Sequence, residues 1–166
     1  MNQGESVAED WNTVSYDDSA WTTMKAAAIP DATSTTIYIR KSFQLTNVNE
    51  YSVMNIRLKY TGGVVVYFNG NRVARFNLVE NFDASTESIA LHDAETFSKL
   101  HIILSTAGVQ EGTNVIAFEL HRPVGVSSPY IVVFDATGVF GVNDCSTVVD
   151  SYASLTSTLT TSISPT

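Results

Sequence analysis

A chain of 166 residues is long enough for one domain with a self-supporting core plus a tail. At 44% hydrophobic and 16% charged it reads as globular and sparsely charged. Nine Lys and Arg against seventeen Asp and Glu leave a net charge of −8, and no basic block exceeds Arg40-Lys41. That pattern argues against a nucleic-acid partner and favours a neutral partner or a cation over a polyanion.

Residues 1–10 read as a disordered leader: "MNQGESVAED" has no apolar stretch of signal-peptide type. With an abrupt C-terminus, this leads to the expectation of a fragment of a larger protein. In "WNTVSYDDSAW", Asp17, Asp18 and Ser19 sit between two tryptophans, where their side chains fold back on backbone N–H groups to make a turn. Trp21 is expected in the core and Trp11 over a sheet edge. "AAAIPDATST" reads as a connector punctuated by Pro30. "TIYIRKSFQL" then alternates, with Ile37, Ile39, Phe43 and Leu45 on one face and Tyr38, Arg40 and Ser42 on the other. "VMNIRLKY" repeats the pattern, opposing Met54, Ile56, Leu58 and Tyr60 to Asn55, Arg57 and Lys59.

"GGVVVYFNGNRVARFNL" is a hairpin whose Asn69-Gly70 suits a type I′ turn. A two-residue loop puts Val66 opposite Val73 and Val65 opposite Ala74. Residues 80–97 read as a long connection holding a short strand near Ser88–Leu91. "FSKLHIILSTAGVQEG" fits either a strand or a helical turn. "GTNVIAFELHRP" is a strand with Ile116, Phe118 and Leu120 on one side, ended by Pro123, and "PYIVVFDATGVFG" is the last strand. The composition changes beyond Asp144: 146–166 holds 12 Ser or Thr in 21 positions, so 144–166 reads as a Ser/Thr-rich linker or the start of a following domain. The module itself is assigned to 11–143. Cys145, the single cysteine, allows no internal disulfide; it is either a lone thiol or the partner of a cysteine in a following domain. No run is long enough to span a bilayer.

Short strands with turn signals and no alternating helices make an all-β, antiparallel β-sandwich, and the connections longer than hairpins suit a jelly roll. The ordered pieces "DDSAW", "YIRKSFQL", "VVVYFNGNRVARFNL" and "EGTNVIAFELHRP…SSPYIVVFDA" resemble galactose-binding-domain-like jelly rolls, accessory modules of glycoside hydrolases and of extracellular proteins, over about Trp11–Gly141. The resemblance implies sugar as the commonest ligand class and an extracellular or cell-surface setting. No Asn-x-Ser/Thr sequon is present to support secretion; only the rarer Asn143-Asp144-Cys145 form occurs.

Catalysis has little to stand on. No G-x-S-x-G occurs, no glycine loop has a phosphate-binding setting, and acidic pairs such as Asp83 and Glu87 fall in loops. His92, His101 and His121 lack metal-ligand spacing. "HDAE", residues 92–95, is a conceivable structural calcium loop, although its spacing fixes no site and solvated acidic loops are commoner. Sugar recognition needs aromatic faces and planar polar groups on loops, which points to Tyr16, Asn81, Phe82, His121, Arg122 and Tyr130. Arg122 and Tyr130 flank the stiff "PVGVSSP" loop. Tyr130 packing and Arg122 as a solvated edge charge remain the plainer alternatives. The expected function is a non-catalytic carbohydrate-binding or adhesion module, joined to other domains of its parent protein. The alternatives are a spacer or protein-interaction sandwich and a hydrolase accessory domain.

Overall fold

Period-two alternation of apolar residues favours strands with one buried face, and strands dominate the chain. The computed structural model describes residues 7–25, 28–128, 130–142 and 160–163. The strands are β1 (Thr22–Lys25), β2 (Ala28–Ala32), β3 (Thr36–Leu45), β4 (Tyr51–Tyr60), β5 (Gly63–Phe68), β6 (Asn71–Phe76), β7 (Ser98–Ile103), β8 (Gly112–His121), β9 (Tyr130–Val142) and β10 (Thr160–Ile163). A single helical turn, α1 (Leu104–Ala107), follows β7. Two four-stranded sheets, ordered β2-β9-β4-β7 and β3-β8-β5-β6, form a β-sandwich, and every pairing is antiparallel. Among the described residues no helix is long and apolar enough to cross a membrane.

The alternating faces meet as predicted. Ile37 and Ile39 of β3, Met54, Ile56 and Leu58 of β4, Val64, Val66 and Phe68 of β5, and Ile116, Phe118 and Leu120 of β8 close on Phe134 and Phe140 of β9. Asn69 and Gly70 both have positive φ, 47° and 88°, as a type I′ turn requires.

Several local readings need correction. The hairpin register shifts between Val66 and Tyr67, so Val66 opposes Ala74 and Val65 opposes Arg75. Unshifted pairing would set Arg75 opposite Val64 and aim it into the core. The bulge at Val73 turns Arg75 outward and brings Phe76 opposite Val64. Ser88–Leu91 forms no strand, because its bonds run to separate segments: Ser88 N–H to Arg122 O and Ile89 N–H to Asn77 O. The Pro30 connector contains β2, an edge strand whose register shifts between Ile29 and Ala32, a place where a missing N–H is tolerated. The ambiguous stretch after Phe97 holds both β7 and α1.

At the ends, residues 1–6 of the expected leader lie outside the described residues, while Ala8 and Asp10 accept turn hydrogen bonds from Trp11 and Thr13. Within the expected linker, Thr160–Ile163 pairs as a strand with β1. The rest of 144–166, Asn143 and Cys145 lie outside the described residues.

Candidate functional site

The two outer faces of the sandwich differ, and the difference traces to Arg40. This side chain points away from the core on β3 yet is only 3% exposed. Its Nε donates to Asp18 Oδ2 at 2.9 Å, and its Nη atoms donate to the carbonyls of Trp11, Thr13 and Tyr16. One guanidinium thereby anchors segment 11–18 across the sheet β3-β8-β5-β6. Trp11 meets Tyr38 and Tyr67 edge-on, with centroids at 4.8 and 5.4 Å, and stacks near Trp21 at 6.3 Å. Both tryptophans therefore pack with Val115 and Ala117 in a second buried cluster on an outer face, so Trp21 is a packed core residue as expected and Trp11 lies across the sheet rather than over its edge. The predicted Asp-Ser turn is present, with Ser19 N–H bonded to Asp17 Oδ1 at 2.9 Å. That bond holds the Asp17 carboxyl below its ordinary value.

Tyr16 belongs to this cap: it packs edge-on against Trp21 at 5.6 Å and lies under the Arg40 guanidinium at 5.1 Å. Phe82, His121 and Arg122 come together at the neighbouring end of the same sheet, where they fasten a loop. Phe82 sits edge-on to the His121 ring at 5.5 Å. Thr36 Oγ1 donates to Ala84 O at 2.7 Å, so at 3.3 Å from His121 Nδ1 it acts as an acceptor. His121 Nδ1 therefore donates, chiefly to Thr86 O at 2.7 Å. The His121 Nε2 atom faces Glu119 Oε1 at 3.3 Å, close enough for an ion pair though not aligned as a hydrogen bond. Arg122 donates to Glu87 Oε1 through Nε and Nη2 at 3.0 and 2.6 Å. Asn81 is exposed on the same connection. Tyr130 opens β9, and its side chain lies outside the described residues.

Glu119 and His121 form a buried acid–base pair. The His121 side chain is fully buried, and Glu119 accepts from Tyr67 Oη at 2.8 Å. Burial, then the Glu119 charge, raises both the Tyr67 and Tyr38 phenols far above their ordinary value of 10. The adjoining crevice, lined by Tyr60, Thr61, Gly62, His121 and Pro123 among others, encloses about 10 Å³, room for roughly one water.

"HDAE" is also a folded-back turn. Asp93 accepts from Glu95 N–H at 2.9 Å and Thr96 Oγ1 at 2.8 Å, which lowers its carboxyl, while His92 stacks on Tyr60 at 3.9 Å. Among the described residues no three His, Cys, Asp or Glu side chains gather to hold a metal.

The outer face of β2-β9-β4-β7 presents polar and charged side chains to solvent. In register, Asn55 opposes His101, Arg57 opposes Lys99, and on the β9 side Arg57 opposes Thr137 and Lys59 opposes Asp135. Arg57, Lys99 and His101 are exposed. The Phe97 ring lies beside this face, with the Arg57 guanidinium 4.1 Å and the Lys59 ammonium 4.8 Å from its centroid. Asn55 and His101 hydrogen-bond to each other through Oδ1 and Nδ1. The sequence already set Asn55, Arg57 and Lys59 on one face. What it did not reveal was β7 beside them, because that pairing spans more than forty residues.

No protein-family model matches the chain, and no curated protein matches it. Solved structures with a similar stretch include the α-L-rhamnosidase of Aspergillus terreus, at 15% identity and a TM-score of 0.47 over 72% of this chain. The α-L-rhamnosidase of Streptomyces avermitilis complexed with L-rhamnose gives 16% and 0.46 over 72%. That of Dictyoglumus thermophilum gives 12% and 0.44 over 75%. The chain spans only 15, 10 and 14% of those three proteins, respectively. All three neighbours are glycoside hydrolases by name, and each is matched over a minor part of its length.

Proposed function

We propose that this sandwich is a jelly roll of the galactose-binding-domain-like kind, serving as a non-catalytic carbohydrate-binding or adhesion module of a larger extracellular or cell-surface protein. The interleaved strand orders support the jelly-roll reading, since each sheet takes strands from both halves of the chain. The observation that carries the binding reading is the asymmetry of the two outer faces. One is sealed by the Trp11–Trp21 segment. The other presents Asn55, Arg57, Thr137 and His101 beside the Phe97 ring, the mix of planar polar groups and an aromatic that holds sugar hydroxyls and C–H faces.

A glycan array, with melting shifts measured on added oligosaccharides, tests this. Binding that Asn55→Ala weakens upholds the reading. No binding to any glycan, and no melting shift, replaces it with a spacer or protein-interaction sandwich.

A further inference from the structure

Cations are scarce in this chain, and five of the nine Lys and Arg side chains sit in ion pairs. Arg40 pairs with Asp18, Lys59 with Glu95, Arg72 and Arg75 with Glu80, and Arg122 with Glu87. Arg57 and Lys99 are different: among the described residues neither has a carboxylate within 4.0 Å, and the antiparallel register sets them directly opposite one another. Directly opposed strand residues have Cβ atoms about 5 Å apart, and like charges in that position destabilise a sheet. In a protein with 17 acidic residues to 9 basic ones, two adjacent unneutralised cations form a local inversion of charge.

Resting on the glycan-binding reading above, we infer that the open face takes an acidic polysaccharide of the uronate class, with a sugar carboxylate seated between Arg57 and Lys99. The planar guanidinium matches a carboxylate in two-point fashion, and the ammonium supplies a second charge from the neighbouring strand. Lys59 stands two residues along β4, about 7 Å away. Its partner Glu95 is 87% exposed, a weak solvated contact that an incoming carboxylate displaces. Thr137, Asn55 and His101 lie at opposed register positions around the charged pair, in reach of sugar hydroxyls.

The occupant follows from charge and shape. Three cations on a face that also carries Asp135, opposite Lys59, suit one negative charge per sugar rather than the dense charge of a nucleic acid or a heavily sulfated glycan. A peptide strand would add to the β7 edge rather than lie across the face. This departs from the sequence expectation of a neutral or cationic partner, which followed from the total charge and not from its placement.

Polygalacturonate, a neutral galactan, heparin and poly-glutamate, tested by affinity electrophoresis and calorimetry at low and physiological salt, decide the matter. Polygalacturonate should bind best and weaken with salt. Arg57→Gln and Lys99→Gln should each weaken it about fivefold, the double variant should abolish it, and Arg72→Gln on the other sheet should leave it unchanged. Lys99→Gln should melt no lower than the parent, since it relieves like-charge repulsion and leaves the Arg57–Phe97 contact in place. Equal or better binding of galactan, indifferent to Arg57→Gln, overturns the uronate assignment and leaves the glycan reading intact. Equal or better binding of heparin or poly-glutamate overturns it in favour of a general anion face. Failure of every glycan overturns both.

Discussion

Replacing Arg40 by Met should weaken the docking of the cap while leaving the sandwich folded. The substitution keeps most of the apolar stem and removes the donors to Asp18 and to the carbonyls of Trp11, Thr13 and Tyr16. Hydrogen bonds to a charged group contribute about 1.5–3 kcal/mol each. Asp18 is 39% exposed and regains water when its partner is lost, so its share is small. The buried Trp11 carbonyl has no such recourse while the cap stays down. A net loss of about 3–4 kcal/mol follows, in the range for breaking a buried ionic contact from one side. If the cap lifts instead, the loss cannot exceed its docking free energy. With a urea slope near 2 kcal/mol/M, the midpoint should fall by about 1.5–2 M. Both tryptophans of the chain, Trp11 and Trp21, lie in the cap, so their emission reports on it alone while far-UV circular dichroism reports on the sheets. The fluorescence transition of the variant should move to lower urea than the dichroism transition and start from a red-shifted baseline. Emission that stays blue, with a midpoint within 0.3 M or so of the parent, would refute the anchoring role of Arg40. Arg72→Met, an exposed control, should change stability by about 0.5 kcal/mol or less.

Gly62→Ala should cost about 1–3 kcal/mol in urea unfolding, because a Cβ there would lie 2.0 Å from His121 O and 2.9 Å from Pro123 N, backbone atoms with no rotamer to turn; unchanged stability would show that the two segments separate freely. Asn69→Ala should be more damaging than a turn residue warrants, by about 1–3 kcal/mol, since its side chain also bonds Asn114 Oδ1, Gly108 O and Val115 N–H; a variant as stable as the parent would reduce Asn69 to its backbone role. At high pH, Tyr38 and Tyr67 set the direction. Their folded-state values are raised, so the stability they confer is complete below the ordinary value of 10 and is lost as pH rises from there through the higher folded values. Absorbance at 295 nm should show these two of the seven tyrosines ionising last, and Tyr67→Phe should leave one; all seven titrating together in the folded protein would contradict this. At low pH, Asp17, Asp83 and Asp93 have lowered values, so their contribution is present above 3.8 and lost below it, and melts should begin to fall there.

What could be read in the sequence is what alternation encodes. β3, β4 and β8 announce themselves through apolar residues alternating onto one face, and the Asn69-Gly70 turn through its backbone demand. What could not be read depends on non-local partners. Arg40 looks like a solvent-facing strand residue until a segment 22 residues earlier folds over it. The Val73 bulge follows from keeping Arg75 out of a core that the local pattern does not delimit. His121 and Arg122 looked available because their loop partners, Thr86 and Glu87, lie 35 residues away. The Arg57–Lys99 pair needs the β4–β7 register, and scattered cations in a sequence say nothing of which strands carry them side by side.

The most direct test of the sealed-face and open-face arrangement is an amide chemical-shift map of the 166-residue chain titrated with a galacturonate oligosaccharide. Shifts confined to Asn55–Lys59, Phe97–His101 and Asp135–Thr137 are predicted. Shifts centred on the Trp11–Trp21 cap or on the loops around Phe82 and Arg122, or none anywhere, would contradict it.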